Sequence, residues 1–486
     1  MSADDIVLLA GGRARIEADP GLLDRLAAAR RTLEQVAASG QRIYGLNTGL
    51  GAKVGLDVAD APSAPDLSGF QNRLVRGRAI GVGEPMPTEA VRAIMAARLA
   101  TLAQGGSGIS PHVFQALLAM LEAGVHPLVP QRGSLGEGDL GLLAHVALVL
   151  IGEGQAEYQG ELSSGGMALQ RAGLAPVQLG AKDGLSLINA SAVSVATGAL
   201  VAREAADLAA WQEQAGMLGF AAIRANPLVF DHRVQQARSA AGQVSTAARL
   251  RHLLAGTTYE AVALQDPLSF RCLASISSAL HDAVERALGM VAAELNSAAD
   301  NPLVLQEPDQ VVSTGNFATP AFALAFENLG LAVAHAAQAG AARFVHLSNG
   351  QRASLPRSLS PHGGTAAGFV PLQKTVMALL ADLHRHAAPV MLDVMPVSEG
   401  VEDHATQSPL VVEKTASMLD AWRHLIAIEL FAAAQAADLQ PDLRLGGALR
   451  ELHEGVREKV PFLDEDRPLG PDAQRLHDWM AAGDAG

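Results

Sequence analysis

The sequence predicts an all-α protein, a bundle of long helices with a smaller mixed region toward its N-terminal end. Hydrophobic residues make up 49% of the 486-residue chain and aromatics only 4%. The interior must therefore be filled by Ala, Leu and Val, of which the first two are strong helix formers. Residues 272–298, 318–341 and 366–388 are apolar around much of their circumference, which a helix tolerates when other helices cover it. Such wide faces exceed what one chain can cover, so a homo-oligomer is expected.

Taken in order, residues 21–39 repeat apolar positions at helical spacing and stop at Gly40, as a C-terminal cap would. The stretch YGLNTGLGAKVG (44–55) holds Gly45, Gly49, Gly51 and Gly55 and reads as a loop needing positive φ or close approach. Helical spacing returns at 88–104 and 112–124, a Pro/Gly-punctuated stretch follows at 126–141, and 140–153 and 185–215 read as helix. Short strands are expected near 155–180 and 303–312, and the tail after 465 reads as a polar surface segment. Length alone, at roughly 100–200 residues per domain, would give several domains. The continuous helices argue for one subunit with subregions: 1–180 with the Tyr loop, a central bundle at 181–460, and a tail at 461–486.

The formal charge of −14 disfavours nucleic acid and anionic membrane, which need a basic footprint, and leaves small molecules or proteins as partners. Cys272 is the only cysteine, so there is no intrachain disulfide and no Cys-based zinc site, and a reducing cytoplasm fits. The N-terminus begins acidic with only a short apolar run, unlike a signal peptide. The longest apolar stretches, such as 142–152, fall short of the roughly 20 residues that span a bilayer. A soluble protein is expected.

Several polar segments interrupt the helices. Tyr44, one of three tyrosines, opens the glycine loop. It is either a half-buried hydrogen-bonded residue or a general base whose ionised form its neighbours stabilise. In QDPLSFRC (265–272), Arg271 can pair bidentately with a substrate carboxylate or form an inter-helix salt bridge. STGNFATP (313–320) centres on Asn316 and Phe317, as a polar loop or as an N-cap with a packed Phe. EGVEDHATQS (399–408) gathers Glu399, Glu402, Asp403 and His404 without the spacing of a zinc helix or a calcium loop, so no metal is expected. Lys374, in an apolar helical stretch, either snorkels to the surface or lies buried opposite a carboxylate.

Together these segments resemble the histidine and aromatic amino acid ammonia-lyases, in colinear order over roughly residues 30–450. YGLNTGLG (44–51) is similar to the family's Tyr loop and GSLGEGDLGLLAH (133–145) to its cofactor-bearing segment. GLSLINA (184–190) supplies Asn189, QDPLSFRC supplies Gln265 and Arg271, ADNPLV (299–304) leads into TGNF (314–317), and VEDH (401–404) resembles the family's QEDH. The resemblance implies an all-helical homotetramer of the ammonia-lyase (aspartase-like) type, with active sites shared between subunits. It also implies Tyr44 as the base that removes the β-proton and Arg271 as the carboxylate anchor, with Asn189 and Gln265 nearby. Glu402, where phenylalanine and tyrosine lyases have Gln, implies an imidazole-type ring.

The chain departs from the pattern where the family carries Ala-Ser-Gly, the tripeptide that cyclises to an electrophilic methylidene-imidazolone. The corresponding stretch is Gly136-Glu137-Gly138-Asp139, so no cofactor is expected. A second family Tyr is replaced by Leu268, a substrate-recognising His by Arg78, and a usually apolar residue by Lys374. The electrophile acts by bonding an amine lone pair, which a quaternary trimethylammonium lacks. The pattern therefore resembles a cofactor-free branch that eliminates trimethylamine from a histidine-derived betaine, ergothioneine, to give thiourocanate. Tyr44, Lys374 and Glu402 are the expected catalytic residues, with Lys374 near the sulfur. Arg271, Asn189, Gln265, Asn316, Phe317, Arg78 and Leu268 are expected to line the substrate. Competing expectations are a lyase for another histidine-like or aromatic amine, and a non-catalytic relative that binds a small ligand. The role of Glu137 stays open.

Overall fold

The computed structural model describes residues 1–58, 67–238, 240–350, 352–392 and 394–483, with the side chains of 67 and 68 left aside. It divides into two units. One comprises Met1–Arg203, Ala287–Phe326 and Pro389–Glu413, the other Glu204–Arg286, Glu327–Ala388 and Lys414–Gly486. The secondary structure is dominated by helices, among them Ala192–Ala222, Leu273–Leu295, Pro320–Asn349 and Ser408–Asp438, and each of these four lends a part to each unit. The predicted all-α class therefore holds.

In the first unit the helix expected at 21–39 is Leu22–Ala38, and Gly40 follows at φ +83°. Its buried Ala29, Leu33 and Val36 pack with Ile43, Leu46, Val304 and Val311. The last two belong to the hairpin Leu303–Gln306/Asp309–Val312, the strand pair expected at 303–312. Tyr44 is thus held between two residues sunk in one small core. The helix Thr88–Leu102 is buried along nearly its whole length, including Arg98, whose guanidinium pairs with Asp300 at 2.9 Å. Removing one partner of such a buried pair costs about 3–5 kcal/mol.

Three further strands escape the sequence reading. Val82–Pro85 pairs with Pro130–Arg132, and Val125–Pro127 adds to the hairpin Gln155–Tyr158/Glu161–Ser164. They are too short and too rich in Pro for alternation to register. The helix expected over 185–215 is broken. Asp183–Ile188 ends at Asn189, which has φ −88° and ψ 83°, and a new helix starts at Ala192.

In the second unit Arg343 and Glu429 are fully buried, with Nε to Oε1 at 2.5 Å. Gln212 Nε2 donates to Glu429 Oε2 at 3.1 Å, and Trp422 Nε1 donates to Gln212 Oε1 at 2.5 Å. Gly340 makes room for this network, since a Cβ there would lie 2.7 Å from both Gln212 Nε2 and Glu429 Oε2. The helix runs past it to Asn349, beyond the expected end at 341. Leu372–His386 starts later than expected because Pro371 precedes it and Gly368 turns the chain at φ +53°.

Two expectations need correction. The tail is more than a polar surface segment: Gly470–Ala481 is a helix that buries Leu476 and Met480, and Trp479 meets Trp211 edge-on at 4.9 Å. Two stretches, Asp183–Ala222 and Pro320–Asn349, are long and apolar enough to cross a membrane by length and composition. Within the protein 89% and 61% of their most apolar windows are buried, as in core helices.

Candidate active site

The Tyr44 loop is closed by its own polar groups. Ile43 N–H donates to Asn47 Oδ1 at 2.7 Å, and Asn47 Nδ2 donates to the Gln41 carbonyl at 2.9 Å. Gln71 Nε2 donates to the Gly45 carbonyl at 2.9 Å. Gly45, at φ +66°, admits no side chain, because a Cβ would lie 2.5 Å from Leu185 Cδ2. The loop then folds back so that Gly51 N–H donates to Tyr44 Oη at 3.0 Å. The contact pins the phenol oxygen against the loop's own backbone. Glu402, exposed, comes to the same glycine: a Cβ on Gly51 would lie 3.8 Å from Glu402 Oε1. The backbone bridge between Val397 and Glu402 closes the turn that brings it there.

Residues 134–139 are fixed from two sides. Gln407 N–H donates to the Leu135 carbonyl at 2.8 Å, Thr406 Oγ1 donates to the Gly136 carbonyl at 2.9 Å, and Asp139 N–H donates to the Ala190 carbonyl at 2.7 Å. Asp139 is fully buried and accepts from Ser134 Oγ at 2.7 Å and from Ser194 N–H at 2.9 Å. Burial pushes its carboxyl up, and the Ser194 and Ser134 hydrogen bonds pull against that. Sequence reasoning missed this anchor, although a Ser five residues before an Asp at a helix start was there to be read.

Asn189 lies against the same segment, since a Cβ on Gly138 would lie 2.7 Å from its Oδ1, and its Nδ2 donates to the Asn301 carbonyl at 2.7 Å. Ser191 Oγ donates to the Phe317 carbonyl at 2.9 Å, and the next residue, Ala318, forms a backbone bridge with Glu137. Asn316 is exposed, and its N–H reaches Thr314 Oγ1 at 3.4 Å. Glu137 is half-buried, and its Oε1 has no hydrogen-bond partner among the described residues. Burial pushes its carboxyl up to about 7, against the pull of His404 and the Thr406 backbone N–H, with Glu402 adding to the rise. Arg78 ends the helix Leu67–Arg78 and lines a cleft of about 360 Å³ with Leu50, Lys53 and Arg73.

The second unit carries the other expected residues. Gln265 and Leu268 are exposed around the turn at Pro267, which caps the short helix Leu268–Arg271. Asp266, buried, accepts from Asn226 N–H at 2.8 Å and has Arg352 at 4.0 Å. Arg271 is half-buried and makes no ion pair among the described residues, so the inter-helix salt bridge is not formed. Lys374 is exposed in the first turn of Leu372–His386. The first unit thus brings Tyr44 and Glu402 to Gly51, and sets the segment of Glu137 against Asn189 and the Phe317–Ala318 loop. The second sets Gln265, Leu268 and Arg271 on one turn, with Lys374 on a separate helix.

A tyrosine hydroxyl and a carboxylate that both meet Gly51, with an Arg that makes no ion pair among the described residues, are groups of the kind that proton removal from a small zwitterion requires. Residues 1–458 match the family model for aromatic amino acid lyases. The chain belongs to that family. Its members are carbon–nitrogen lyases that act on small molecules. The chain is 36% identical over 480 residues to histidine ammonia-lyase of Alkaliphilus metalliredigens, covering 98% of this chain and 94% of that one. Among solved structures it is similar to ergothionase from Treponema denticola in complex with desmethyl-ergothioneine sulfonic acid. That match has a TM-score of 0.93 and 30% identity, covering 99% and 97% of the two chains. Histidine ammonia-lyase from Trypanosoma cruzi matches with a TM-score of 0.90 at 30% identity, covering 99% and 92%.

Proposed function

We propose that this lyase works without the family's electrophile and eliminates trimethylamine from a histidine-derived betaine, ergothioneine, to give thiourocanate. The observation that carries the reading is the segment 136–139. It contains neither Ala nor Ser, and its Asp139 carboxylate is already engaged by Ser134 and Ser194. These residues do not fit a methylidene-imidazolone. The loop of Tyr44 and the carboxylate of Glu402 are nonetheless in place around Gly51. A chain that keeps the base and the ring-binding acid suits a substrate whose nitrogen needs no covalent activation.

In this reading Tyr44 takes the β-proton. The C–H electrons form the Cα–Cβ double bond, the C–N bond breaks, and trimethylamine leaves as a neutral amine with the bonding pair. Arg271 holds the carboxylate. Glu402 holds the ring, and Lys374 stabilises negative charge developing toward the sulfur. Asn189, Gln265, Asn316, Phe317, Arg78 and Leu268 shape the remainder of the substrate site. The enzyme acts as a cytoplasmic homotetramer whose sites draw residues from different subunits, which gives the exposed Lys374 and Gln265 a place to act.

The test is an assay of the purified enzyme with ergothioneine, hercynine and histidine, following trimethylamine and ultraviolet absorbance. Release of trimethylamine from a betaine is expected, with no ammonia from histidine. The histidine ammonia-lyases among its relatives make the opposite outcome the specific alternative, and ammonia from histidine would overturn the proposal. Absence of turnover with all three would favour a ligand-binding relative.

A further inference from the structure

Glu137 has no part in the elimination just described, yet its carboxyl is tightly placed and lacks a full set of partners among the described residues. Its backbone is bridged to Ala318. The flanking glycines are closely packed: a Cβ on Gly136 would lie 2.4 Å from Thr406 Oγ1, and one on Gly138 would lie 2.7 Å from Asn189 Oδ1. The Thr406 backbone N–H bonds the carboxyl, while Oε1 is buried with no donor among the described residues. Leaving a buried carboxylate oxygen unpaired is costly, and the cost is relieved by an arriving positive charge.

The groups around it narrow the choice of ligand. The segment 401–407 presents Glu402 and His404 to it, whereas the Ala318 loop and the Asn189–Ser194 turn present no ionisable side chain. On its own segment, Asp139 is turned to Ser134 and Ser194. Proton donation by Glu137 to the leaving group has no chemical use, because a quaternary nitrogen offers no lone pair and departs as a neutral amine. A cation without N–H groups asks instead for charge without a directional hydrogen bond. Resting on the betaine reading above, we propose that Glu137 is a specificity-determining residue whose carboxylate receives the trimethylammonium group of the substrate.

Two consequences separate this role from a structural one. Burial holds the carboxyl at about 7 in the free enzyme, so binding of the cation at pH 6 releases most of a proton from Glu137 to the buffer, and binding at pH 9 releases almost none. The contact is made with the cationic ground state and fades only as the neutral amine departs, so losing it raises KM without lowering kcat.

The experiment compares the wild-type enzyme with Glu137→Gln, which keeps the shape and the Thr406 contact. KM for ergothioneine or hercynine is expected to rise about tenfold or more, with kcat within about threefold of wild type. Inhibition by thiourocanate, which lacks the nitrogen, is expected to be unchanged. Calorimetric titration of the betaine into Tyr44→Phe protein, in buffers of different ionisation enthalpy, is expected to show proton release at pH 6 that disappears in the Tyr44→Phe/Glu137→Gln protein. An unchanged KM, a collapse of kcat at constant KM, or equal weakening of thiourocanate would overturn the role of Glu137. A wild-type enzyme that turns over neither betaine would overturn the functional reading itself, so the two failures are distinguishable.

Discussion

Asp139 and Asp266 are both buried, and each sits beside candidate site residues, but their surroundings differ. Asp139 meets Ser134 and Ser194 on its two oxygens, and its segment is tied to Ala190, Thr406 and Gln407. Asp266 has one backbone N–H, from Asn226, while its Oδ1 has no hydrogen-bond partner among the described residues. Nearby Tyr259 is in a similar condition: its buried hydroxyl has no partner among the described residues, and burial, with Asp266 second, pushes it up. One loop is completed by its own side chains and backbone, and the other is held by fewer contacts, from Asn226 and Arg352 on Asp266 and from Arg343 on the Ser269 carbonyl, with Gln265 and Leu268 exposed. A loop of the first kind sets geometry before a ligand arrives. A loop of the second kind leaves its side chains to be ordered by ligand or by another copy of the chain.

The contrast can be broken experimentally. Tyr44→Phe, in the completed region, is expected to lower kcat by about 10³-fold or more while betaine binding stays within threefold, read by turnover and by calorimetry. Retained turnover would remove Tyr44 from the base role. Asp139→Ala strands the Ser134 hydroxyl and the Ser194 N–H, and should cost about 3 kcal/mol of stability by denaturant melting. In the open loop, Arg271→Lys would lose the proposed two-pronged contact with the substrate carboxylate and should raise KM about tenfold with little change in melting temperature.

Smaller effects sharpen the same comparison. Asp266→Ala should cost only about 1 kcal/mol, since one backbone N–H loses its partner and the contact with the part-exposed Arg352, at 4.0 Å, is weak. A cost equal to that of Asp139→Ala would show that both loops are completed alike. Glu137 gives a pH signature. Its carboxyl is raised from the ordinary 4.5 to about 7 in the fold, so the folded state is fully favoured below 4.5 and loses that contribution as pH rises through about 7. The melting temperature of Glu137→Gln relative to wild type should therefore climb by about 1–3 °C between pH 5 and pH 8. A flat difference would mean the carboxyl is solvated.

Most helices were legible because their apolar periodicity is long and uninterrupted. The ends were less so, for local reasons: Pro371 delays one helix, Gly340 fails to stop another, and Asn189 breaks a third where the Asn-Ala-Ser sequence was the available signal. The terminal helix was masked by its Pro- and Asp-rich surroundings, although Leu476 and Met480 stand four apart. The chemical types at the site were legible as motifs, and the meeting of the Tyr44 loop with Glu402 at Gly51 was not, because it joins backbone turns far apart in the sequence. The environment of Glu137 depends on residues about 180 and 270 positions away in sequence, Ala318 and Thr406, and no local pattern encodes it.

Gly51 gives its N–H to Tyr44 and lies against Glu402. In the proposed mechanism the proton acceptor and the group that chooses the ring therefore rest on one backbone position. A mutation that shifts this backbone to admit a bulkier ring would also withdraw the donor from the phenol oxygen, so selectivity and rate cannot be tuned one at a time here. Widening the enzyme to new substrates would call for paired changes in both loops, and stepwise single substitutions should pass through slow intermediates.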